Sequence, residues 1–578
     1  MINKKIASML AEIADMLSIE EKPTTRFEVR AYQNASMVIG SLEEDLGDLY
    51  KRAGLKGLMD IRGIGKGIAS SIEEYIKTGH MSKYETLKKR FPIDFAGLTK
   101  IEGLGAKRII TLYRKLGVKN IDDLKKAINS HKVAELEGFG EKSEEMLKNG
   151  IEMLEKSKGR LLLGEALPAA EAIVSALLGS GLVGKAVICG STRRMKETVG
   201  DIDILAISDK PQQVMDMFTS MKEVESVVVK GPTKTTVWLD IGTTCDLRVI
   251  APESFGAAVQ YFTGSKEHNV EVRKIAISKG FKLNEYGLYD AKGGVISAID
   301  ERDIYARLGM DWMEPEMREN RGEIELAKEH RLPKLVALAD LRGDMHTHTK
   351  ETDGTNTLEE MVNAAIAKGF EYVNISNHTK SLRVAHGLDD KGFEQLFKRI
   401  DDLNSSLDGK IRIFKGAEVD ILKSGALDLK PETLKKMDCV VAAVHSNFNM
   451  SQKEMTGRIV KALDSGMVHI LAHPTGRIIN EREPYDVDLR AVAESAERNN
   501  VALEINSFPS RLDLNDSSIF AIKGYKLKFA IDSDAHNISH FDYLRYGVGM
   551  ARRGWLGKSD ILNTMSLKAI EKALEAVS

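Results

Sequence analysis

The residues best equipped for chemistry fall into two groups. In GDIDIL the two-residue period of a strand puts Asp201 and Asp203 on one face, with Ile202 and Ile204 on the other. Adjacent carboxylates repel, so the pair makes sense as the holder of a divalent cation such as Mg²⁺, which takes oxygen ligands together with substrate phosphates. Some 43 residues on, TTVWLDIGTTCDLRVI supplies Asp246, again in a strand, with Leu247 and Val249 facing away. Three carboxylates from neighbouring strands can hold two metals, one activating an attacking oxygen and the other steadying a triphosphate and its leaving group. Ahead of them, Gly190 and Ser191 close the run KAVICGS and can cradle phosphates through backbone N–H and a hydroxyl. Arg194, with Arg193 as a second candidate, can neutralise developing charge. A lone Asp-x-Asp is most often a solvated turn. The Gly-Ser before it and the third strand aspartate after it argue against that here.

The second group is a set of histidines. Nine of the 13 lie beyond residue 340. DMHTHTKETDG gives His346, His348 and Asp353; ISNHTK gives His378; KGAEVDIL gives Glu418. AAVHSNF, LAHPTG and DSDAH add His445, His473, Asp534 and His536. One histidine at a strand end is usually a satisfied polar residue, but nine candidate ligands at successive strand ends are not explained that way. Imidazoles mixed with carboxylates suit Zn²⁺, Mn²⁺ or Fe²⁺, and the ligands are too many for one ion. His386, His469 and His540 are left without a role.

The elements that must position these groups follow from the patterning. The first 160 residues are helical in pattern and carry about five more basic than acidic side chains, against a net charge of −2 for the whole chain. They contain three similar turns: IRGIGKGIASSI, IEGLGAKRIITL and LEGFGEKSEEML. In each, an apolar residue precedes Gly-hydrophobic-Gly, and a helix follows. Such glycines permit a tight turn whose N–H groups can face a phosphate. Gly63, Gly65 and Lys66 in the first copy, and Gly103, Gly105, Lys107 and Arg108 in the second, are the candidate phosphate contacts. The third copy carries Glu141, Glu144 and Glu145, which suits a structural turn better.

From about Leu163 strands and helices alternate, which means a mixed α/β domain. The charged stretch LGMDWMEPEMRENRGEIELAKEHRLPKLVAL reads as a linker with some helix. Beyond Asp340, buried β-branched runs followed by helices favour parallel strands closing a barrel, with ligands at the strands' C-terminal ends. The 43% apolar and 29% charged composition is that of a folded protein. The N-terminus reads as an amphipathic helix with Ile6, Leu10, Ile13 and Leu17 on one stripe, not as a signal peptide, and no apolar run is long enough to span a bilayer. The expectation is a cytoplasmic, nucleoid-associated protein with no membrane contact, monomeric by default. Cys189, Cys245 and Cys439 sit far apart in strand-like runs and do not suggest a disulfide framework.

These motifs resemble known families. The paired-glycine turns resemble the helix-hairpin-helix, which grips DNA backbone without reading sequence. The aspartate constellation resembles the nucleotidyltransferase superfamily, and SFGAAVQYFTGSKEHNVEVR with LNEYGLYD resembles the family X DNA polymerases in particular. That resemblance implies that Tyr261, Phe262 and Gly264 flank the incoming sugar, while Asn269 and Arg273 lie against the nascent base pair. The histidine set resembles the PHP (polymerase and histidinol phosphatase) domain, a distorted (β/α) barrel with a three-metal phosphoesterase site. It implies one metal on His346, His348, Glu418 and Asp534, a second on Glu418, His445 and His473, and a third on Asp353, His378 and His536.

The whole chain thus resembles a bacterial or archaeal family X polymerase with a PHP domain. Helical domains with helix-hairpin-helix motifs would span 1–90 and 91–160. A nucleotidyltransferase palm would follow at 161–250, a thumb at 251–315, a linker at 316–340 and the PHP domain at 341–578. The implied activity is gap filling in base-excision repair on primed or gapped duplex DNA with dNTPs, using two Mg²⁺ or Mn²⁺. The PHP domain, with up to three Mn²⁺ or Zn²⁺, would add 3′–5′ exonuclease and possible 3′-phosphatase or abasic-site cleavage. The competing reading is a DNA-end phosphoesterase with a weak or inactive polymerase half. Two positions depart from the families. Ser71 stands where lyase-active members place a Schiff-base lysine, so that activity is expected to be absent or weak. Asn377 stands where many PHP domains have Asp, which removes no ligand but can retune the surroundings of one.

Overall fold

The computed structural model describes every residue except 1, 20–24, 41, 43–44, 62, 100, 102–103, 142, 146, 149–150, 152–159, 481 and 578. At the N-terminus, helix Ile2–Ser18 buries the stripe Ile6, Leu10, Ile13 and Leu17. The stripe joins one apolar cluster with Leu58, Ile68, Ile72, Ile109 and Leu112 from the helices that follow. In the first two hairpins the apolar residue between the glycines is the anchor: Ile64 and Leu104 are buried, and helices Lys66–Thr78 and Ala106–Leu116 begin directly after Gly65 and Gly105.

The mixed domain is a five-stranded sheet. Its strands are β1 (Lys185–Ile188), β2 (Asp201–Ile207), β3 (Val224–Lys230), β4 (Lys234–Leu239) and β5 (Thr244–Val249). Their order in space is β1-β2-β5-β4-β3. Only β2 and β5 run parallel, and their register sets Asp203 directly opposite Asp246. Ile202, Ile204, Cys245 and Leu247 fill the core beneath, which leaves the carboxylates on the other face. Helices Phe255–Thr263 and Lys266–Ser278 follow, then a small antiparallel sheet of Lys282–Asn284, Gly287–Tyr289 and Val295–Ser297.

The last part of the chain is a nearly closed parallel barrel. Its seven strands are β6 (Gly343–Thr347), β7 (Tyr372–Ile375), β8 (Arg412–Asp420), β9 (Cys439–Ala443), β10 (Ile470–Leu471), β11 (Ala502–Asn506) and β12 (Phe529–Asp532), in sequence order. Closure is made just past the strand ends, where Ala535 N donates to His346 O at 3.3 Å and His348 N donates to Ala535 O at 2.8 Å. The strands are buried almost throughout, as expected for a parallel sheet covered by helices.

Residues 316–340, expected as a linker, are packed. Helix Glu323–Lys328 places Ile324 and Ala327 against Leu288, Tyr305 and Met313, and Arg318 is fully buried. Palm and barrel also share one apolar cluster, running from Leu163 and Ile202 to Val548 and Ile561. Among the described residues no helix is long and apolar enough to cross a membrane.

Candidate active sites

At the palm site, β2 and β5 bring Asp201, Asp203 and Asp246 together. Asp246 is held by Thr236, whose Oγ1 donates to Oδ1 at 2.5 Å, and by Lys234 Nζ at 3.1 Å. Burial, then the charges of Asp201 and Asp246, push the Asp203 carboxyl up to about 7 from 3.8. Burial and Asp246 raise Asp201 as well. Converging carboxylates that repel one another, and so hold protons more tightly, suit a divalent cation in their midst, and the oxygen-only donor set suits Mg²⁺.

The sign of that repulsion is testable on the metal-free chain. Asp203 keeps its proton longer in the folded than in the unfolded state. Its stabilising contribution is therefore present below about pH 4 and is lost as pH rises through about 7. Asp203→Asn is expected to stabilise the chain in EDTA by about 2 kcal/mol at pH 8, once partial exposure is discounted, and by almost nothing at pH 4. Urea midpoints at the two pH values check this.

The phosphate-side turn abuts these carboxylates. Gly190 has a φ of +61°, and a Cβ there would meet Asp203 Oδ2 at 2.4 Å, so both conformation and space demand glycine. Ser191 Oγ is buried without a hydrogen-bond partner, as an atom reserved for a ligand would be. Arg194 donates its Nη1 to Thr263 O at 2.6 Å and its Nε to Glu319 at 3.0 Å. Arg193 is instead committed to Thr263 and, through both Nη atoms, to Glu301.

In the YFTGS segment Phe262 lies under the Arg248 guanidinium at 4.6 Å and Tyr261 meets its ring edge-on. Gly264, at φ +71°, would carry a Cβ 3.0 Å from Arg194 Nη1. Asn269 spends its amide internally, donating to Tyr261 O at 2.7 Å and accepting from Gln260 Nε2 at 2.8 Å, so it holds the Tyr261 segment in place. Arg273 lies half-buried one turn further along the same helix. Sequence reasoning missed the support below. His268 is fully buried between Glu323 at 2.7 Å and the Tyr305 hydroxyl at 2.9 Å, and Glu301 accepts from Arg193, Arg318 and Trp312. Glu323 lies in the expected linker, which hid the contact.

In the barrel, all nine candidate ligands converge at the C-terminal ends of the strands, where a (β/α) barrel places its chemistry. Glu418, near the end of β8, is the hub. Its Oε1 lies 2.9 Å from His473 Nε2 and 3.1 Å from His445 Nε2. Its Oε2 lies 2.8 Å from His378 Nδ1, 3.4 Å from His346 Nε2 and 3.6 Å from His348 Nε2. Asp534 Oδ1 lies 3.3 Å from His348 Nε2 and 3.7 Å from His346 Nε2. Asp353 Oδ2 lies 3.3 Å from both His378 Nε2 and His536 Nε2. Three groupings could each hold an ion: His346, His348 and Asp534; His378, Glu418 and His445; and His348, Asp353, His378 and His536. His348 and His378 thus border two groups each, beyond the single assignments expected from sequence.

Several of these separations are long for hydrogen bonds. Two donors about 2.1 Å from one tetrahedral ion sit roughly 3.4 Å apart, the spacing found here. His346 Nε2, both His348 ring nitrogens and His473 Nδ1 are buried without a hydrogen-bond partner. Divalent metals fit this donor set. Burial alone would keep the imidazoles neutral, yet Glu418 and Asp353 push His378 up to about 10. His348, by contrast, is pushed down to about 3 by burial and by its neighbours His536 and His378.

A second layer fixes the rings. Glu504 accepts from His346 Nδ1 at 2.7 Å and from His473 N at 2.6 Å, and Asp420 accepts from His445 Nδ1 at 3.0 Å. His540 Nδ1 accepts from His536 N at 3.2 Å, while His469 ties the barrel floor by accepting from Val440 N at 3.0 Å. Asn377 uses both ends of its amide on the loop carrying Asp353: Oδ1 accepts from Thr349 N at 2.8 Å and Thr352 Oγ1 at 3.0 Å, and Nδ2 donates to Thr349 Oγ1 at 2.8 Å. An aspartate there would offer that hydroxyl no donor.

Among the hairpin residues, Gly63, Gly65, Lys66, Gly105 and Lys107 are exposed. Gly103 lies outside the described residues. Arg108 donates to Gly138 O at 3.1 Å and stacks over Phe139 at 5.1 Å, joining the second hairpin to the third. In the third, Glu144 accepts from Val133 N and Ala134 N and pairs with His131. Ser71 Oγ turns back to Gly67 O at 3.1 Å, and Lys77 is engaged by Glu73 at 2.8 Å.

Fold and sites together define a nucleotidyltransferase with helix-hairpin-helix domains in front and a metal-binding phosphoesterase barrel behind. Comparison with known proteins agrees. The chain matches the DNA polymerase beta thumb over residues 258–319, a helix-hairpin-helix domain over 1–81, a SAM-like helix-hairpin-helix tandem over 95–152 and the PHP domain over 344–508. It is 37% identical over 578 residues, the full length of both chains, to the DNA polymerase/3′-5′ exonuclease PolX of Bacillus subtilis (strain 168). It is 30% identical over 234 residues to a probable phosphatase of Thermoanaerobacter sp. (strain X514), covering 38% of this chain and 89% of that one. A probable phosphatase of Syntrophotalea carbinolica is 28% identical over 204 residues, 33% of this chain and 79% of that one. The chain belongs to the family X DNA polymerases that carry a C-terminal PHP domain.

Proposed function

We propose that this chain fills short gaps in DNA during base-excision repair and trims 3′ ends with its barrel. The observation that carries the reading is the pairing of Asp203 with Asp246 across parallel strands, beside a turn that carries the unpartnered Ser191 hydroxyl and Arg194, whose guanidinium is engaged by Glu319 and Thr263 O. Asp201, Asp203 and Asp246 are the residues to hold two Mg²⁺ or Mn²⁺. Glu418, Asp353, Asp534 and the six histidines His346, His348, His378, His445, His473 and His536 are those to hold up to three Mn²⁺ or Zn²⁺. When bound, such ions supply Lewis-acid charge stabilisation and a lowered pKa for the attacking oxygen.

The chain's own residues do the positioning. Gly190, Ser191 and Arg194 receive the triphosphate of a dNTP and balance the charge that builds on its leaving group. Tyr261, Phe262 and Gly264 bound the sugar side, with Asn269 holding that wall and Arg273 reaching towards the base pair. The exposed hairpin glycines, with Lys66 and Lys107, grip duplex backbone. With Ser71 where lyase-active relatives carry a Schiff-base lysine, the lyase step is expected to be absent or weak. In the barrel, Glu504 and Asp420 keep His346 and His445 in the tautomer that presents Nε2 inward.

The test is a 5′-labelled primer on a one-nucleotide gap with Mg²⁺ or Mn²⁺. The expected result is extension with the complementary dNTP and stepwise shortening without it. Shortening alone, with no extension, would replace this reading by a phosphoesterase whose polymerase half only holds DNA.

A further inference from the structure

The phosphate-side turn of the palm is braced by the barrel. Arg553, the last residue of helix Leu544–Arg553, donates Nη1 to Glu319 Oε1 at 2.9 Å, the same oxygen that Arg194 Nε reaches at 3.0 Å. It also donates Nη1 to the backbone carbonyl of Arg194 at 2.7 Å and Nη2 to Asp516 at 2.6 Å. Asp516 pairs in turn with Arg321 at 3.2 Å. The same helix presents Gly549, where an added Cβ would stand 2.7 Å from the tip of Met195, the residue after Arg194. Arg553 is only 2% exposed, so this is a buried junction and not a rim contact. Burial would raise the Glu319 carboxyl, but Arg553, Arg194 and Lys196 hold it down at about 2.

Sharing is the point of the arrangement. A carboxylate engaged by one buried guanidinium forms a tight pair that an incoming anion cannot easily open. One divided between two guanidiniums holds each less firmly. Arg194, Lys196, Arg321 and Arg553 together face two carboxylates, Glu319 and Asp516, which leaves positive charge next to the turn. We propose that Arg553, a residue of the metal-binding barrel, is a positioning residue for nucleotide binding at the palm: by sharing Glu319 it leaves Arg194 available to the triphosphate. This rests on the reading of Arg194 as a triphosphate ligand. It makes the barrel part of the polymerase site's electrostatics, not merely its neighbour.

The experiment is steady-state gap filling by the full chain, comparing Arg194→Ala, Arg553→Met, Arg553→Lys and Asp516→Asn. Arg553→Met throws Glu319 onto Arg194 and removes one positive charge, so the dNTP KM is expected to rise about five- to tenfold with a smaller change in kcat. Arg553→Lys restores most of the affinity. Asp516→Asn leaves Arg553 more firmly on Glu319 and adds positive charge, so KM is expected to fall about two- to threefold. A brace that acted only through stability would move both variants in the same direction. KM unchanged in Asp516→Asn, or rising in both variants, overturns the proposal, and Asp516→Asn with Arg553→Lys decides it if Arg553→Met does not fold. Arg194→Ala separates the two readings. If it raises KM while Arg553→Met does not, only this inference fails. If it leaves KM unchanged, the triphosphate role of Arg194 fails and the inference falls with it.

Discussion

Asp246→Asn is expected to lower dNTP incorporation on a one-nucleotide gap by about a thousandfold or more, while shortening of the same primer stays within about twofold. The side chain is isosteric, so Thr236 can still donate to the remaining carbonyl oxygen and β5 keeps its place. What is lost is one of three carboxylates and the negative charge that Lys234 meets at 3.1 Å. Lys234 then faces a neutral amide, and the two remaining aspartates, both already raised by burial, no longer form a three-carboxylate site. Metal binding and activation of the primer oxygen fail together. The barrel's ligands sit on other strands and share no donor with Asp246, so their chemistry continues. Equal loss of both activities would show that the two ends are not independent and would sink the assignment of polymerisation to the palm.

How far the sequence could be read follows the range of the interactions. The strand alternation in GDIDIL depends on neighbours two residues apart, and Ile202 and Ile204 are indeed buried. Register is not local, yet the facing of Asp203 and Asp246 follows once two carboxylate-bearing strands must share a cation. The barrel histidines were legible because each closes a recognisable apolar run. The roles of Glu504 and Asp420 are not legible, although both stand in such runs, because nothing local distinguishes a carboxylate that orients an imidazole from one that binds metal. The stretch 316–340 was least legible. Its charges and Pro333 look like linker, but Arg318, Glu319 and Glu323 are buried against partners outside the stretch: Glu301, Arg553 and His268. Arg108 shows the same long range: beside its candidate phosphate role, its guanidinium stacks on Phe139 of the third hairpin, a contact no local pattern announces.

The barrel's counterpart test centres on Glu418. Its two oxygens face histidines on both sides, His445 and His473 against one, His378, His346 and His348 against the other. Glu418→Gln replaces a bridging anion by one neutral carbonyl oxygen and an amide whose N–H groups cannot coordinate. The expected result is loss of at least about one metal equivalent by elemental analysis and about a thousandfold slower 3′-end shortening, with dNTP incorporation within about twofold. Metal loading has a direction in pH as well. In the metal-free chain Glu418 and Asp353 hold His378 protonated up to about 10, so an ion must displace protons to bind. Loading of the unaltered chain is therefore weaker at pH 6 than at pH 8. In Glu418→Gln the imidazoles lose their main anion and their protons with it, so the residual metal content should depend less on pH. Retention of full metal content and full shortening in that variant would mean that Glu418 only orders the histidines, and the hub of the barrel site would have to be sought at Asp353 and Asp534.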